Sequence, residues 1–543
     1  MLTRYRVYTI FTAVLIVIFM AFNFSLAMPY YQMQNVIMVN QLSSTQSLNA
    51  HAMHAKMKNG EAFFIAGDIG HDKAELSLLI RELTQLGYGV LIYDLPSEGF
   101  SDGVIPVGYK SDSEFLAHHF YNTYVAYTQL ENISVNNIHI VGFGESARAI
   151  LQTGSLGLFA EQQGNAHAIP LDITLVGADF NLSGKADFDV LNYRKDNEIE
   201  WISRLGPNNP GIPINIIASN IDRSATVKDS ELLLEKFLEG LASGAEPKSR
   251  LSIIKYVPHG SLMGSVKVLE AIIQMTVNEA YKAPGLLYLR DPISYATLAL
   301  FALLCYLAGR LVYRQSYTGP LPERKRATGL FRVKVAMNLF GLILDILLLG
   351  AFYAAPVPFP YYDILPILTL AGFGFVMLFL YRFTTFANNL GSSVILRDAN
   401  ASPIAGIVTL GGAVALCTLM LASFPRNPFS LMGKPVWIGM LMLLFLPLLY
   451  IDEKERRLFA DDRKLCFMLF AANFLALLIS PLATAAIGLT DASFTMLRLI
   501  ACFLAAISTE FFCRPLGLSS FSTSLTKAAV LIMLAFTDLT LFY

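Results

Sequence analysis

Hydrophobic positions divide this chain into three parts. Val7 to Met28 form an apolar run whose main polar interruptions are Asn23 and Ser25, long enough to cross a hydrocarbon core that about 20 helical residues span. Residues 29–290 mix short, unbroken apolar runs with stretches that repeat at helical spacing. From Tyr295 onward long apolar runs return, at about 295–312, 333–352, 363–381, 403–423, 435–450, 465–481, 494–512 and 525–541. The expected architecture is an anchor at 1–28, a folded domain at 29–290, and a transmembrane domain of about eight helices at 291–543. The short run 435–450 is expected to tilt or to re-enter.

The middle part predicts alternating strands and helices. Ala62-Phe63-Phe64-Ile65-Ala66 is apolar throughout and ends in glycines, as a strand buried on both faces of a parallel sheet should be. Residues 75–86 repeat their apolar positions as a helix does and stop at Gly87, and Gly89 to Tyr93 is a second buried strand. Strand, helix, strand is a βαβ unit with a right-handed crossover. A helix over 111–131, a strand ending near Gly142, strands at 173–176, 212–217 and 251–257, and a helix at 230–241 continue the alternation. Together they predict a doubly wound α/β domain. Residues 30–48 are expected to follow the membrane or to form a first strand or helix. Residues 50–58 read as an edge strand, and 180–210 as a short insertion.

Composition agrees with the division. Hydrophobic residues make up 54% and charged residues 15% of the 543, against about 25% charged in a soluble domain. The formal net charge of -1 gives no global attraction to nucleic acid. All five cysteines lie at or after Cys305 and all eight histidines at or before His259. The middle region therefore has no disulfide framework and no cysteine-ligated metal, and the tail has no imidazole chemistry. Arg4 and Arg6 precede the anchor, and the loops after 312 and at 451–464 are rich in Lys and Arg. The positive-inside rule then expects a multi-pass protein of the cell membrane, a bacterial inner membrane by preference. Its N-terminus is cytoplasmic, and its α/β domain and C-terminus lie outside. The anchor is expected to be retained, with cleavage after Ser25-Leu26-Ala27 as the alternative.

Three segments carry a family resemblance. Ile65-Ala66-Gly67-Asp68 follows the first buried strand, Asp94-Leu95-Pro96-Ser97-Glu98-Gly99-Phe100-Ser101-Asp102-Gly103 follows the second, and Gly144-Glu145-Ser146-Ala147-Arg148 follows the strand at 138–143. In order and spacing they resemble the α/β-hydrolase family over about residues 48–280. Their counterparts there are the His-Gly oxyanion turn, the Asp-x-Pro-Gly-x-Gly-x-Ser-x-Gly loop and the Gly-x-Ser-x-Gly nucleophile elbow. Ala66 stands where that family has histidine, and Arg148 where it has glycine.

The resemblance implies a Ser146 nucleophile and backbone oxyanion donors at Asp68 and Ala147. A serine needs a histidine base and an orienting carboxylate. In the order Ser, acid, His these are Asp222 and His259, each after a late strand, with Asp179 as an alternative acid. Arg148 is expected to pair with an acidic residue such as Asp68 or Glu98, or to meet an anionic substrate group; Glu145 flanks the serine. No cofactor is implied, because Gly142-x-Gly144 lacks the rest of a dinucleotide loop, and no metal cluster is evident. The expected activity is that of a serine hydrolase or acyltransferase acting, at the lipid bilayer, on an ester, thioester or amide of a lipid-like or cell-envelope acyl substrate. The rival is a transporter or envelope-assembly protein whose α/β domain binds without catalysis.

Overall fold

The computed structural model describes residues 2–41, 47–68, 71, 73–96, 101, 109–131, 133, 137–156, 170–178, 212–222, 225–239, 249–311, 403–423, 435–458 and 500–535, with single positions at 343, 347 and 482. It divides into two compact units, one built mainly from Phe24–Arg290 and one from Met1–Asn23, Asp291–Ser423 and Lys434–Thr537.

The first unit is a sheet of eight strands: β1 (Gln34–Gln41), β2 (Ser47–Ala55), β3 (Ala62–Ala66), β4 (Gly89–Tyr93), β5 (Ile138–Phe143), β6 (Asp172–Val176), β7 (Ile214–Ser219) and β8 (Arg250–Ile254). Their order is β1-β2-β4-β3-β5-β6-β7-β8. β2 runs antiparallel to both neighbours, and every pair from β4 to β8 is parallel. With helices crossing between parallel strands, this is the arrangement of an α/β-hydrolase fold. The central strands β3 to β7 are buried at every position, which is why they read as continuous apolar runs instead of alternating.

Residues 34–41 form the edge strand, so the stretch expected at the edge, 50–58, lies one place inside it as β2. The helices α1 (Leu2–Tyr31), α2 (Ser77–Gln85), α3 (Tyr109–Glu131), α4 (Glu145–Ser155), α5 (Val227–Glu239) and α6 (Val266–Thr276) fall where the apolar repeat allows. On α3 the spacing of Phe120, Tyr124 and Tyr127 puts three rings over Phe64 of β3, with centroids 5.2 to 5.9 Å away. Full burial of such side chains contributes about 1.5–3 kcal/mol each, more than the few tenths that separate helix propensities of aromatic and aliphatic residues. The aromatic face therefore decides that this segment docks as a helix. Both ring nitrogens of His119 on the same helix are buried, and burial lowers its pKa to about 4. It is a neutral core residue.

Among the described residues two helices are long and apolar enough to cross a membrane, Arg4–Tyr31 and Leu287–Leu311. Asn23 of the first donates to Ser294 Oγ of the second at 3.0 Å. Of the other expected spans, 403–423, 435–450, 494–512 and 525–541 coincide with shorter apolar helices, Gly406–Thr418, Leu441–Tyr450, Ile500–Cys513 and Ser520–Ala535. The spans at 333–352, 363–381 and 465–481 fall outside the described residues apart from 343 and 347. At one end of these helices Lys527, fully buried, bonds Glu453 at 2.6 Å and Glu510 at 2.8 Å. Arg456, Arg457 and Arg514 close the network around the same two carboxylates.

Candidate active site

β5 delivers its chain to α4 through one residue, Gly144, at φ 49° and ψ -117°. Side chains other than hydrogen rarely adopt that conformation, and it is the strained strand-to-helix turn from which a hydrolase nucleophile projects. Gly142, two residues earlier, is packed so closely that an added Cβ would lie 2.3 Å from Ile150 Cδ1 and 2.9 Å from Ala147 Cα. The elbow therefore reads Gly142-Phe143-Gly144-Glu145-Ser146: the nucleophile's place is held by glycine, and Ser146 fills the small-residue place after it.

This register corrects the expectations at the elbow. Ser146 is fully buried in the first turn of α4, and its hydroxyl donates to the carbonyl of Gly67, not to an imidazole. Ala147 is equally buried. The backbone amide presented to the site is that of Glu145. Arg148 no longer replaces a required glycine; its guanidinium pairs with Glu145 at 2.7 Å, one helical turn back, and Glu98, one of the partners expected for it, lies outside the described residues.

What fills the nucleophile's place is the side chain of Asp68, from the turn after β3. A Cβ built on Gly144 would fall 2.1 to 2.2 Å from the Asp68 carboxyl atoms. Oδ1 accepts the Glu145 amide at 3.0 Å, and Oδ2 lies 3.1 Å from His259 Nε2. On its other side, His259 Nδ1 lies 2.7 Å from Asp222 Oδ2. The structure thus brings Asp222, His259 and Asp68 into one line at the carboxyl ends of β7, β8 and β3, where ligands of open α/β sheets bind. It leaves Ser146 out of that line. Asp179 lies outside the described residues.

Two cross-links hold the dyad. Ser219 Oγ donates to the Val257 carbonyl at 2.5 Å, and the Tyr256 amide donates to Asn220 Oδ1 at 2.8 Å, lacing the loop after β7 to the loop after β8. Tyr256 takes φ 60°, an uncommon conformation for a bulky residue, three residues before His259. The Asp68 amide meets Met263 Sδ at 3.3 Å.

The electrostatics follow from the geometry. Burial disfavours charge on His259, but the Asp222 carboxylate and then that of Asp68 outweigh it, so the imidazole pKa stands well above its ordinary value. Burial likewise works against the Asp68 carboxylate, and is outweighed by the hydrogen bond and charge of His259, by His71 and by the Glu145 amide; its pKa is lowered. Both imidazole nitrogens thus face a carboxyl oxygen, Nδ1 that of Asp222 and Nε2 that of Asp68, and both shifts favour the charged forms of His259 and Asp68. Asp68 also sits at the positive end of α4, an added favourable contact for an anion. Among the described residues no group of three or more His, Cys, Asp or Glu side chains is placed to hold a metal ion.

Asp68 was expected to contribute its backbone amide and, as one alternative, a carboxylate for Arg148, and Gly144 only the opening of a Gly-x-Ser. The signal for both was present as a second Gly-x-x-x-small pattern, Gly142 to Ser146, overlapping the first.

No protein-family model matches the chain, and no curated protein matches it. Solved structures similar to it include a membrane phospholipase A described as a bacterial virulence factor. That likeness has 14% identity and a TM-score of 0.32, covering 49% of this chain and 91% of that one. A Pyrococcus furiosus esterase is similar at 13% identity and a TM-score of 0.32, over 46% and 91% of the two chains. An epoxide hydrolase from Vigna radiata is similar at 10% identity and a TM-score of 0.32, over 46% and 99%. The strand order given above is independent of these likenesses.

Proposed function

We propose that the α/β domain is a hydrolase in which His259, oriented by Asp222, transfers protons at the elbow, and that the helical segments hold it at a membrane where its substrate is lipid-like or part of the cell envelope. The observation that carries this reading is the His259 imidazole, fixed by Asp222 at 2.7 Å with Nε2 directed at the nucleophile's place. A histidine held in one orientation by a buried carboxylate is the part of such a site that is hardest to explain as scaffold. The Glu145 amide is aimed at the same point and serves as an oxyanion donor. This reading does not use the acyl-Ser146 intermediate expected from the motif, because the buried Ser146 hydroxyl donates to the Gly67 carbonyl.

The test is turnover of a panel of activated substrates, p-nitrophenyl butyrate among them, by the full-length protein in nanodiscs. Removing a positioned general acid or base costs about 10²- to 10⁴-fold, so His259→Ala should lose at least 100-fold and Ser146→Ala should retain turnover. Activity that survives His259→Ala would contradict the proposal.

One observation favours the second reading, a binding domain serving transport or assembly. Gly144 offers no side chain, and the imidazole is engaged at both nitrogens. That reading predicts no turnover across the panel and ligand binding that His259→Ala weakens.

A further inference from the structure

We infer that Asp68 is the covalent nucleophile of this site, delivered from the turn after β3 into the place that Gly144 leaves open, and that its substrate presents an electrophilic saturated carbon with an oxygen leaving group. The inference rests on the hydrolase reading above and narrows it.

Three distances place the carboxylate. A Cβ at position 144 would fall 2.1 to 2.2 Å from its atoms, so the Asp68 carboxylate occupies the space that an elbow side chain would take. Oδ1 is fixed by the Glu145 amide at 3.0 Å, and Oδ2 faces His259 at 3.1 Å. The Asp68 side chain is 12% and that of His259 18% exposed, so both are reachable from one side while Asp222 is sealed behind them. Carboxylates are established covalent nucleophiles. Attack on an ester would give an anhydride and expel a poorer leaving group than itself. Attack on a saturated carbon gives an ordinary ester, which a base-activated water can cleave.

The proton balance closes on the groups present. In the resting site Asp68 is a carboxylate and His259 an imidazolium. An Asp68 oxygen forms a bond to the substrate carbon as the carbon–oxygen bond of, for example, a three-membered cyclic ether breaks. The released alkoxide takes the Nε2 proton, leaving a hydroxyl, an Asp68 ester and neutral His259. Esterification removes one of the two carboxylates that hold the imidazole charged, which suits it to act next as a base. His259 takes a proton from water as the water oxygen adds to Asp68 Cγ, and the oxyanion forms at the Glu145 amide. Collapse breaks the bond between Cγ and the substrate oxygen, the departing alkoxide takes the proton back, and Asp68 passes its own proton to His259. The sum is one cyclic ether and one water to one diol, with the resting charges restored.

The experiment uses full-length protein in nanodiscs with phenyl glycidyl ether as the alkylating probe and p-nitrophenyl butyrate as the acyl probe, over many turnovers in ¹⁸O-water. Mass spectrometry of the Asp68 peptide is expected to show ¹⁸O in the Asp68 carboxylate with the cyclic ether. The His259→Gln protein is expected to retain the whole ether as an adduct on that peptide. The wild-type label needs no variant, so a variant that fails to fold does not decide the outcome. Ether turnover with no label at Asp68 overturns the inference. His259-dependent hydrolysis of the ester alone, without label, also overturns it and leaves the hydrolase reading standing. No turnover of either probe counts against both.

Discussion

A carboxylate and an imidazole 3.1 Å apart fix each other's charge, and that has a signed consequence for stability. The pKa of His259 is raised in the folded protein, so its contribution is full below the ordinary value of about 6.5 and is lost as pH rises through the folded value. The pKa of Asp68 is lowered, so its contribution is present above the ordinary value of about 3.8 and is lost as pH falls through the folded value. Between these limits the pair stabilises the domain. The melting temperature should therefore fall on both sides of this window, and Asp68→Asn should flatten the acid flank and reduce the alkaline one, which Asp222 also sustains; a wild-type profile unchanged by Asp68→Asn would contradict the pairing. Residue 144 supplies a second test. The wild-type protein should not be labelled by a fluorophosphonate, because Ser146 is buried against Gly67. Gly144→Ser with Asp68→Gly places a hydroxyl beside His259 in the space vacated by the carboxylate, and should be labelled at residue 144. Labelling of wild type at Ser146 would overturn the register.

At the scale of elements, the elbow is set by how closely β5 and α4 approach. A valine at position 142 would drive its side chain against Ile150 and the Ala147 backbone, and overpacking of this kind costs about 1–3 kcal/mol. Chemical denaturation of Gly142→Val should show that loss, whereas a loss below about 0.5 kcal/mol would mean that the junction is looser than described. The central strands were legible because β3 to β7 are buried on both faces and so spell continuous apolar runs. The elbow was legible as a turn but not in register, since Gly142 and Gly144 both open a Gly-x-x pattern and only the backbone angle at Gly144 distinguishes them. β1 lies within 30–48, where a first strand was one of the alternatives; its polar ends, Gln34, Asn35, Asn40 and Gln41, kept the choice open, and its place at the edge comes from pairing with β2, which no local pattern encodes. The side chain of Asp68 was read only as a possible partner of Arg148, because His259, which it meets, is 191 residues away.

For the whole molecule, the dyad Asp222 and His259 could be read from order along the chain because each follows a strand on the same edge of the sheet. Of the eight spans expected after the α/β domain, only Leu287–Leu311 is long and apolar enough to cross a membrane among the described residues, and the ionic network was not legible, since Glu453, Glu510 and Lys527 come from three helices. Breaking a buried ion pair by removing one partner costs about 3–5 kcal/mol. Lys527→Ala should therefore lower the thermal stability of the nanodisc-embedded protein sharply, and an unchanged melting temperature would show that the network is solvated. The proposed orientation places the α/β domain outside the cytoplasm. A cysteine at Glu279, whose side chain is 76% exposed, should react with an impermeant maleimide in intact cells, and reaction only after lysis would reverse the topology.

The claim on which the account turns is that Asp68, and not Ser146, faces His259. The most direct measurement is the imidazole titration of His259 by NMR in wild type, Asp68→Asn and Ser146→Ala. His259 should show a raised value in wild type, a clear fall in Asp68→Asn and no change in Ser146→Ala. A value that responds to Ser146→Ala and ignores Asp68→Asn would contradict it.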